Sequence, residues 1–180
     1  MKKLGIAAGV VVLLVAALVG FASTRPDSYT VERSRTYEVP AATVWGIVSD
    51  MNQFPKWSPW QKMDPAMKIA VEGTPASVGH KYTWVSEAGA GKGSMTVTTV
   101  EPGKRMDIAL SFLEPFPSEA VTAYIVSEEG GKATMTWTMT GQNNLGAKVM
   151  GLFMSMESMI GKDFEDGLAN LDKVVAKPGA

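Results

Sequence analysis

The 180-residue sequence has no cysteine and a single histidine, His80. Without cysteine there is no disulfide framework, no thiolate nucleophile and no cysteine-ligated zinc or iron–sulfur site. One histidine excludes sites that need several imidazoles, and it would be the sole base of any Ser-His-Asp triad. We therefore expect no metal site and no cofactor.

The chain also lacks an excess of charge of either sign. It has 17 basic and 18 acidic residues and a formal net charge of -1. A protein with no positive excess has little attraction for a phosphate backbone, so we expect no nucleic-acid partner. The length fits one domain of ordinary size, which we expect to be monomeric.

A long apolar run follows Lys2 and Lys3 at the amino terminus. Leu4–Ala22 contains 19 residues without a charge, close to the ~20 residues that span a bilayer and longer than the ~7–15 residues of a typical signal peptide core. The sequence therefore predicts a transmembrane anchor over residues 1–24. A cleaved signal stays open as the alternative, because Gly20-Phe21-Ala22 has the small-x-small spacing that signal peptidase accepts.

The residues after this run predict a linker and one exported domain. Residues 25–28 contain Pro26 among polar neighbours, and we expect the domain to occupy residues 29–176, followed by a tail over 177–180. Long domains after such a segment are exported largely irrespective of charge. We therefore expect a single-pass membrane protein whose domain lies outside the cytoplasm, in the periplasm if the protein is bacterial.

The hydrophobic periodicity predicts an α+β order of elements. A strand over Thr30–Val39 precedes a short helix over Ala41–Val48 and at most one further helical turn within residues 50–59. Period-two segments joined by turn residues then predict an antiparallel meander of six strands. These six are Lys68–Glu72, Lys81–Ser86, Lys92–Glu101, Arg105–Phe112, Ala120–Ser127 and Ala133–Gln142.

The last strand and the carboxy-terminal segment show the clearest patterns. Met135, Trp137 and Met139 alternate with threonines, which predicts one buried face. From Leu145 to Val175 apolar residues recur at three- and four-residue spacing, which predicts one helix of about 30 residues lying on the sheet.

Several motifs resemble those of the START-like helix-grip (SRPBCC) superfamily, in its polyketide cyclase/dehydrase-like branch. They are Pro40-Ala41-Ala42-Thr43-Val44-Trp45, Phe54-Pro55-Lys56-Trp57-Ser58-Pro59-Trp60, Asp64-Pro65, Gly79-His80-Lys81-Tyr82-Thr83-Trp84, Gly91-Lys92-Gly93 and Thr136-Trp137-Thr138-Met139-Thr140-Gly141. The resemblance implies a helix-grip fold, in which a curved antiparallel sheet of about seven strands wraps a long carboxy-terminal helix. Two short helices would follow the first strand, and an apolar ligand would lie in a cavity between sheet and helix.

The implied function is that of a membrane-tethered module that binds or transports a hydrophobic small molecule or lipid. Aromatic and methionine side chains suit such a ligand, although the same residues also fill ordinary cores. The residues predicted to contact the ligand are Trp57, Trp60, Tyr82, Trp84, Phe112, Tyr124, Trp137, Met154 and Met156.

Two other functions stay open. An aromatase/cyclase or dehydratase-like enzyme would need an acid or base in the cavity, for which Glu157, His80 and Tyr124 are the candidates. We expect His80 to be solvated at a strand edge, Glu157 to lie on a solvated helix face and Asp107 to point to water. The second alternative is a protein-interaction or co-chaperone domain whose pocket is filled by its own side chains.

Overall fold

Seven antiparallel strands and six helices form the protein in a computed structural model that describes residues 2–87 and 90–176, with side chains from residue 9 onward. The helices are α1 (Lys2–Ser23), α2 (Ala41–Val48), α3 (Phe54–Trp57), α4 (Pro59–Met63), α5 (Leu145–Met150) and α6 (Met156–Val175). The strands are β1 (Ser28–Tyr37), β2 (Lys68–Glu72), β3 (Lys81–Val85), β4 (Lys92–Glu101), β5 (Arg105–Glu114), β6 (Ser118–Glu129) and β7 (Lys132–Gln142). The predicted tail 177–180 and the Ala88-Gly89 part of one predicted turn lie outside the described residues.

The strands form one open sheet in the order β1-β7-β6-β5-β4-β3-β2. Consecutive strands from β2 to β7 are neighbours, as the predicted meander requires, and β1 joins the sheet by pairing with β7. The α+β fold class and the helix-grip arrangement are therefore confirmed.

One face of the sheet carries the core. In β7 the side chains of Met135, Trp137 and Met139 are buried, as predicted from their alternation with threonine. On the opposite face Thr134 and Thr136 form hydrogen bonds to hydroxyl groups of β1 across the strand pair. The buried face is covered by α6 and by the short helices α2, α3 and α4.

The carboxy-terminal segment is two helices where the sequence predicted one. α5 ends at Met150, and α6 begins after Ser155, whose side-chain oxygen accepts a hydrogen bond from the Ser158 backbone N–H. This cap satisfies an otherwise free donor of the first turn and starts a new helix. The apolar spacing continues through the break, so periodicity alone did not reveal it. The helix that grips the sheet has 20 residues.

The short helices also differ from the prediction. Residues 50–63 contain two helices, α3 and α4, where the sequence predicted at most one helical turn. Together with α2, three short helices therefore follow β1. Pro55 and Pro59 lie in the first turns of α3 and α4, where a missing backbone N–H costs no helical hydrogen bond.

The predicted transmembrane anchor coincides with α1. Within the residues that the structure describes, however, no helix is long and apolar enough to cross a membrane. After α1, the backbone oxygens of Pro26 and Asp27 accept hydrogen bonds from Asn143, and Asp27 forms an ion pair with Lys148. The predicted linker is thus attached to the domain at the end of β7 and at α5.

Candidate functional site

The short helices place three aromatic side chains over the buried face of the sheet. Phe54 and Trp57 lie at the two ends of α3, and Trp60 follows in α4. Phe54 and Trp57 are buried, with ring centroids 4.9 Å apart in an edge-to-face arrangement. The segment from α3 to α4 therefore supplies an aromatic cover.

The sheet supplies five more rings to the same side. Tyr82 and Trp84 are two residues apart on β3, so both point to one face. Tyr124 of β6 pairs directly with Trp137 of β7, and their ring centroids are 5.6 Å apart. Phe112 of β5 contacts Trp84 with centroids 5.7 Å apart.

Helix α6 completes the arrangement with a ring that the sequence analysis did not select. Phe164 stacks on Trp137 with centroids 4.0 Å apart and an interplanar angle of 10°. We call the connected set of nine rings the aromatic cluster. Its members are Phe54, Trp57, Trp60, Tyr82, Trp84, Phe112, Tyr124, Trp137 and Phe164.

Two glycines allow the rings to approach the backbone closely. A Cβ atom at Gly93, which pairs with Trp84 across β3 and β4, would lie 2.3 Å from the Trp84 ring. A Cβ at Gly167 of α6 would lie 2.8 Å from the Trp137 ring. Since real Cβ atoms do not approach so closely, the absence of a side chain at both positions is what lets the two rings approach the strand and the helix.

Seven of the nine residues predicted to contact a ligand are members of this cluster, and two are not. Met156 is partly buried against the core at the start of α6. Met154 lies between α5 and α6 with 55% of its surface exposed. Its position follows from the break in the helix, which turns this residue away from the sheet. Phe164 belongs to the periodic apolar row of α6 and Phe54 precedes a proline in an aromatic segment, so both carried a signal that could have selected them.

Three of the four indole N–H groups of the aromatic cluster have hydrogen-bond partners. The indole nitrogen Nε1 of Trp137 donates to Thr122 Oγ1 at 2.9 Å, and that of Trp84 donates to the Ala90 carbonyl oxygen at 3.0 Å. Trp60 Nε1 donates to Asp163 Oδ2 at 3.2 Å. Partial burial raises the pKa of Asp163 above its usual range, although the Trp60 hydrogen bond opposes this.

Three buried side-chain atoms have no hydrogen-bond partner within the described residues: Trp57 Nε1, Tyr124 Oη and Gln61 Oε1. Burial raises the pKa of the Tyr82 hydroxyl to about 12 and raises that of Tyr124 further, because an apolar surrounding disfavours the phenolate. Both tyrosines are therefore neutral hydrogen-bond donors at physiological pH.

His80 is not the solvated residue that the sequence predicted, because it is fully buried. Its Nε2 accepts a hydrogen bond from the Met51 backbone N–H at 3.0 Å, so Nδ1 must carry the proton that reaches the Glu72 carbonyl oxygen at 2.9 Å. Both ring nitrogens are thus used in joining the segment before α3 to the end of β2. This is a structural role rather than that of a free base.

The carboxylates considered as acids or bases lie outside the aromatic cluster. Glu157 is half-exposed and forms an ion pair with Arg33 at 2.6 Å. Asp107 points away from the core, as predicted, and forms an ion pair with Arg105 at 2.7 Å. Within the described residues no group of three or more histidine, aspartate or glutamate side chains could hold a metal ion.

A separate open cleft of about 540 Å³ lies near the start of α2, between the β4–β5 turn and β6. Four of its nine lining residues are charged, Glu101, Lys104, Arg105 and Glu128. None of the residues predicted to contact a ligand borders it.

Comparison with known proteins identifies a family. The sequence pattern of the family described as polyketide cyclase/dehydrase and lipid transport matches residues 28–176. No curated protein matches the chain.

Solved structures share the fold at low sequence identity. A crystal structure of a protein from Chromobacterium violaceum is 17% identical, with a TM-score of 0.59 over 83% of this chain and 98% of that chain. One from Mesorhizobium loti is 14% identical, with a TM-score of 0.62 over 84% of this chain and 100% of that chain. The solution structure of the Aha1 dimer from Colwellia psychrerythraea is 10% identical, with a TM-score of 0.59 over 84% of this chain and 99% of that chain.

Proposed function

Because the chain belongs to the polyketide cyclase/dehydrase and lipid transport family, we propose that it binds a hydrophobic small molecule or lipid between the sheet and α6. The observation that carries this proposal is the aromatic cluster, in which nine rings from the sheet, α3, α4 and α6 make continuous contact. Aromatic walls provide the apolar contact area that such ligands need, at ~25 cal/mol per Å² of surface removed from water.

Binding without covalent chemistry agrees with the surroundings of the cluster. The two nitrogens of His80 are already bonded to backbone groups, and Glu157 is paired with Arg33. An aromatase/cyclase-like activity would need a free acid or base beside the rings. Of the three side chains considered for that task, Tyr124 lies beside the rings, but burial raises the pKa of its hydroxyl, so it is available as a hydrogen-bond donor and not as a base.

The test is quenching of tryptophan fluorescence by a panel of lipids and polycyclic aromatic molecules. Ligands bound within the cluster should quench the emission with saturation, and a Trp137→Ala variant should bind them at least tenfold more weakly, since Trp137 contacts five other rings of the cluster. A Trp45→Phe variant is the matched control, because Trp45 packs against the core on α2 and is not a member of the cluster. A panel in which nothing quenches either protein would contradict the proposal.

We also propose that α1 holds the domain at a membrane. Six consecutive side chains of α1, Val10 to Val15, are all more than half exposed, so the domain leaves this stretch of the helix uncovered. The domain contacts α1 through α5, and Ala22 near the end of α1 is buried. A helix that is apolar on every side is stable when another apolar phase surrounds it. Together with the positive residues Lys2 and Lys3 before the run, this supports a tether with the domain outside the cytoplasm.

Alkaline carbonate extraction of membranes tests the tether. The full chain should stay in the pellet, and replacing Val12 and Leu14 by aspartate should release it, because charges in the apolar run are costly in lipid. Recovery of a soluble mature protein that begins at Ser23 would instead support the cleaved signal.

A second candidate function is protein interaction, and exposed apolar side chains favour it. Leu113 and Phe116, at the β5–β6 hairpin, are 60% and 75% exposed. Such residues near one another can form a contact surface. If no ligand quenches the fluorescence, and Phe116→Ser removes a self-association or partner contact seen by sedimentation, this function replaces ligand binding.

A further inference from the structure

Two contacting rings of the aromatic cluster carry hydrogen-bond donors without a partner in the described part of the chain. Trp57 Nε1 and Tyr124 Oη are buried and have no hydrogen-bond partner within the described residues. The rings that carry them have centroids 5.6 Å apart, and each ring also contacts Trp137. Leaving a buried polar group without a partner is costly, so two such groups on contacting rings call for an explanation.

The rest of the cluster shows that the fold can satisfy such groups. The indole N–H groups of Trp60, Trp84 and Trp137 all donate hydrogen bonds to oxygen atoms. Elsewhere between the sheet and α6, the Tyr37 hydroxyl donates to the Leu168 carbonyl oxygen at 3.0 Å. Among the buried donors without a partner in the described residues, Trp57 Nε1 and Tyr124 Oη belong to rings that contact each other, and the third unpartnered atom, Gln61 Oε1, is an acceptor on α4.

The chemistry of the two groups specifies what they can bind. An indole N–H only donates, and a tyrosine hydroxyl that stays protonated can donate as well. Their partner must then be a hydrogen-bond acceptor. Trp137 contacts both rings and Phe54 contacts that of Trp57, and an unpaired carboxylate would be strongly disfavoured in such apolar surroundings. A neutral oxygen, such as a carbonyl, meets both conditions.

We propose that Trp57 Nε1 and Tyr124 Oη bind one neutral acceptor oxygen at the buried end of an otherwise apolar ligand. This rests on the proposed function and narrows the ligand class to hydrophobic molecules with a carbonyl, ether or hydroxyl oxygen. A hydrocarbon of the same shape would leave both donors unsatisfied and would bind more weakly.

Access to the two donors requires the α3–α4 segment to move. Phe54 contacts the Trp57 ring, with the two centroids 4.9 Å apart, and its centroid is 6.3 Å from that of Trp137, which contacts both Trp57 and Tyr124. α3 has only four residues, and short helices contribute little stability of their own. Outward movement of this segment displaces Phe54 and opens the space that the ligand fills.

The test compares fluorene with fluorenone, which share a flat tricyclic shape and differ by one carbonyl oxygen. The full chain is held in phosphatidylcholine nanodiscs, and quenching is corrected against empty nanodiscs. For each probe, the dissociation constant of a variant is divided by that of the unmodified protein, so that partition of the probe into lipid cancels. The variants are Tyr124→Phe, which removes only the unpartnered hydroxyl, and Tyr37→Phe, which removes a partnered hydroxyl elsewhere on the same interface.

We expect Tyr124→Phe to weaken fluorenone binding about tenfold and to leave fluorene binding unchanged. Tyr37→Phe should leave both affinities unchanged. Without ligand, Tyr124→Phe should be at least as resistant to urea as the unmodified protein, whereas Tyr37→Phe should be less resistant because it frees the Leu168 carbonyl oxygen.

Three results would overturn the proposal, and they are distinguishable. Equal changes for the two probes, or none, would show that the hydroxyl does not select an oxygen while ligand binding itself stands. Loss of urea resistance in Tyr124→Phe as large as in Tyr37→Phe would show that the hydroxyl has a partner, such as a buried water, in the free protein. Absence of quenching by both probes in the unmodified protein would overturn the proposed function and this inference together.

Discussion

The two ends of α6 meet the sheet in different ways. At the C-terminal end, the Tyr37 hydroxyl is bonded to the Leu168 carbonyl oxygen, and Leu171 and Val175 are buried on the same side of the helix. We call this the paired half. At the other end, Phe164 stacks on Trp137 within the aromatic cluster, where two donors lack partners.

The difference indicates that the two parts of α6 contribute differently, one to the stability of the fold and the other to ligand binding. Aliphatic packing with satisfied polar groups gives stability and little else. Ring contacts also stabilise the fold, but buried donors without partners offset part of that stability and can form hydrogen bonds to a ligand. We therefore expect substitutions in the paired half to change the free energy of unfolding and those in the aromatic cluster to change ligand affinity.

The largest effect should come from Leu171→Ala in the paired half. Leu171 is fully buried, and removing its side chain should lower the free energy of unfolding by about 2–5 kcal/mol. Urea denaturation measures this, with Met159→Ala on an exposed position of the same helix as the control. A large loss of ligand affinity in folded Leu171→Ala protein would contradict the different contributions of the two parts of α6.

His80→Ala should destabilise the α3–α4 segment, which covers the aromatic cluster. The change leaves the Met51 N–H and the Glu72 carbonyl oxygen without their partner, at a cost of about 2–4 kcal/mol. Amide hydrogen exchange should rise first in residues 51–63 and last in the paired half. If exchange rises uniformly along the chain, then residues 51–63 do not open separately from the paired half, which would contradict the comparison between the two parts of α6.

A pair of glycines on α6 gives a finer test. Gly167→Ala should lower the free energy of unfolding by about 1–2 kcal/mol, because its Cβ would meet the Trp137 ring, which is fixed by its neighbours. Gly161→Ala meets only the end of the flexible Arg33 side chain and gains helix propensity, so its stability should stay equal or rise. Thermal denaturation of the two variants compares the side of α6 that faces the Trp137 ring with the side that faces Arg33. Equal losses in both would show that the rings are not tightly held.

The smallest effect should come from Arg33→Met. Arg33 reaches from β1 to both Glu157 and Glu165 on α6, but exposed ion pairs are screened by water and salt. We expect a slight loss of stability at low salt that disappears in 1 M salt, measured by thermal denaturation. A loss that persists at high salt would mean that packing of the Arg33 stem, rather than its charge, joins α6 to β1.

Much of the fold could be predicted from the sequence because period-two alternation and turn residues mark the strands directly. The predicted limits of β2 and β4 and of α2 agree with the structure, and the other strands differ by a few residues at their ends. The break before α6 could not be seen from apolar spacing, since Leu152 and Phe153 continue the pattern. It depends on a cap at Ser155 that competes locally with helix continuation.

The candidate site could be predicted in part. Tyr82, Trp84, Phe112 and Trp137 share faces of their strands, and that periodicity correctly places them together. The burial of His80 could not be deduced, because its two partners are backbone groups 29 and 8 residues away along the chain. The free donors of Trp57 and Tyr124 are likewise a property of packing, which has no signature in a single sequence.

Native mass spectrometry of the full chain, released from detergent and compared with its denatured mass, tests the central claim most directly. If the aromatic cluster binds a hydrophobic molecule, the native spectrum should contain the chain with one additional small apolar molecule, which solvent extraction recovers in one-to-one proportion. A chain that carries no extra mass, and that still takes up none after incubation with fluorenone and a lipid mixture, would contradict the account.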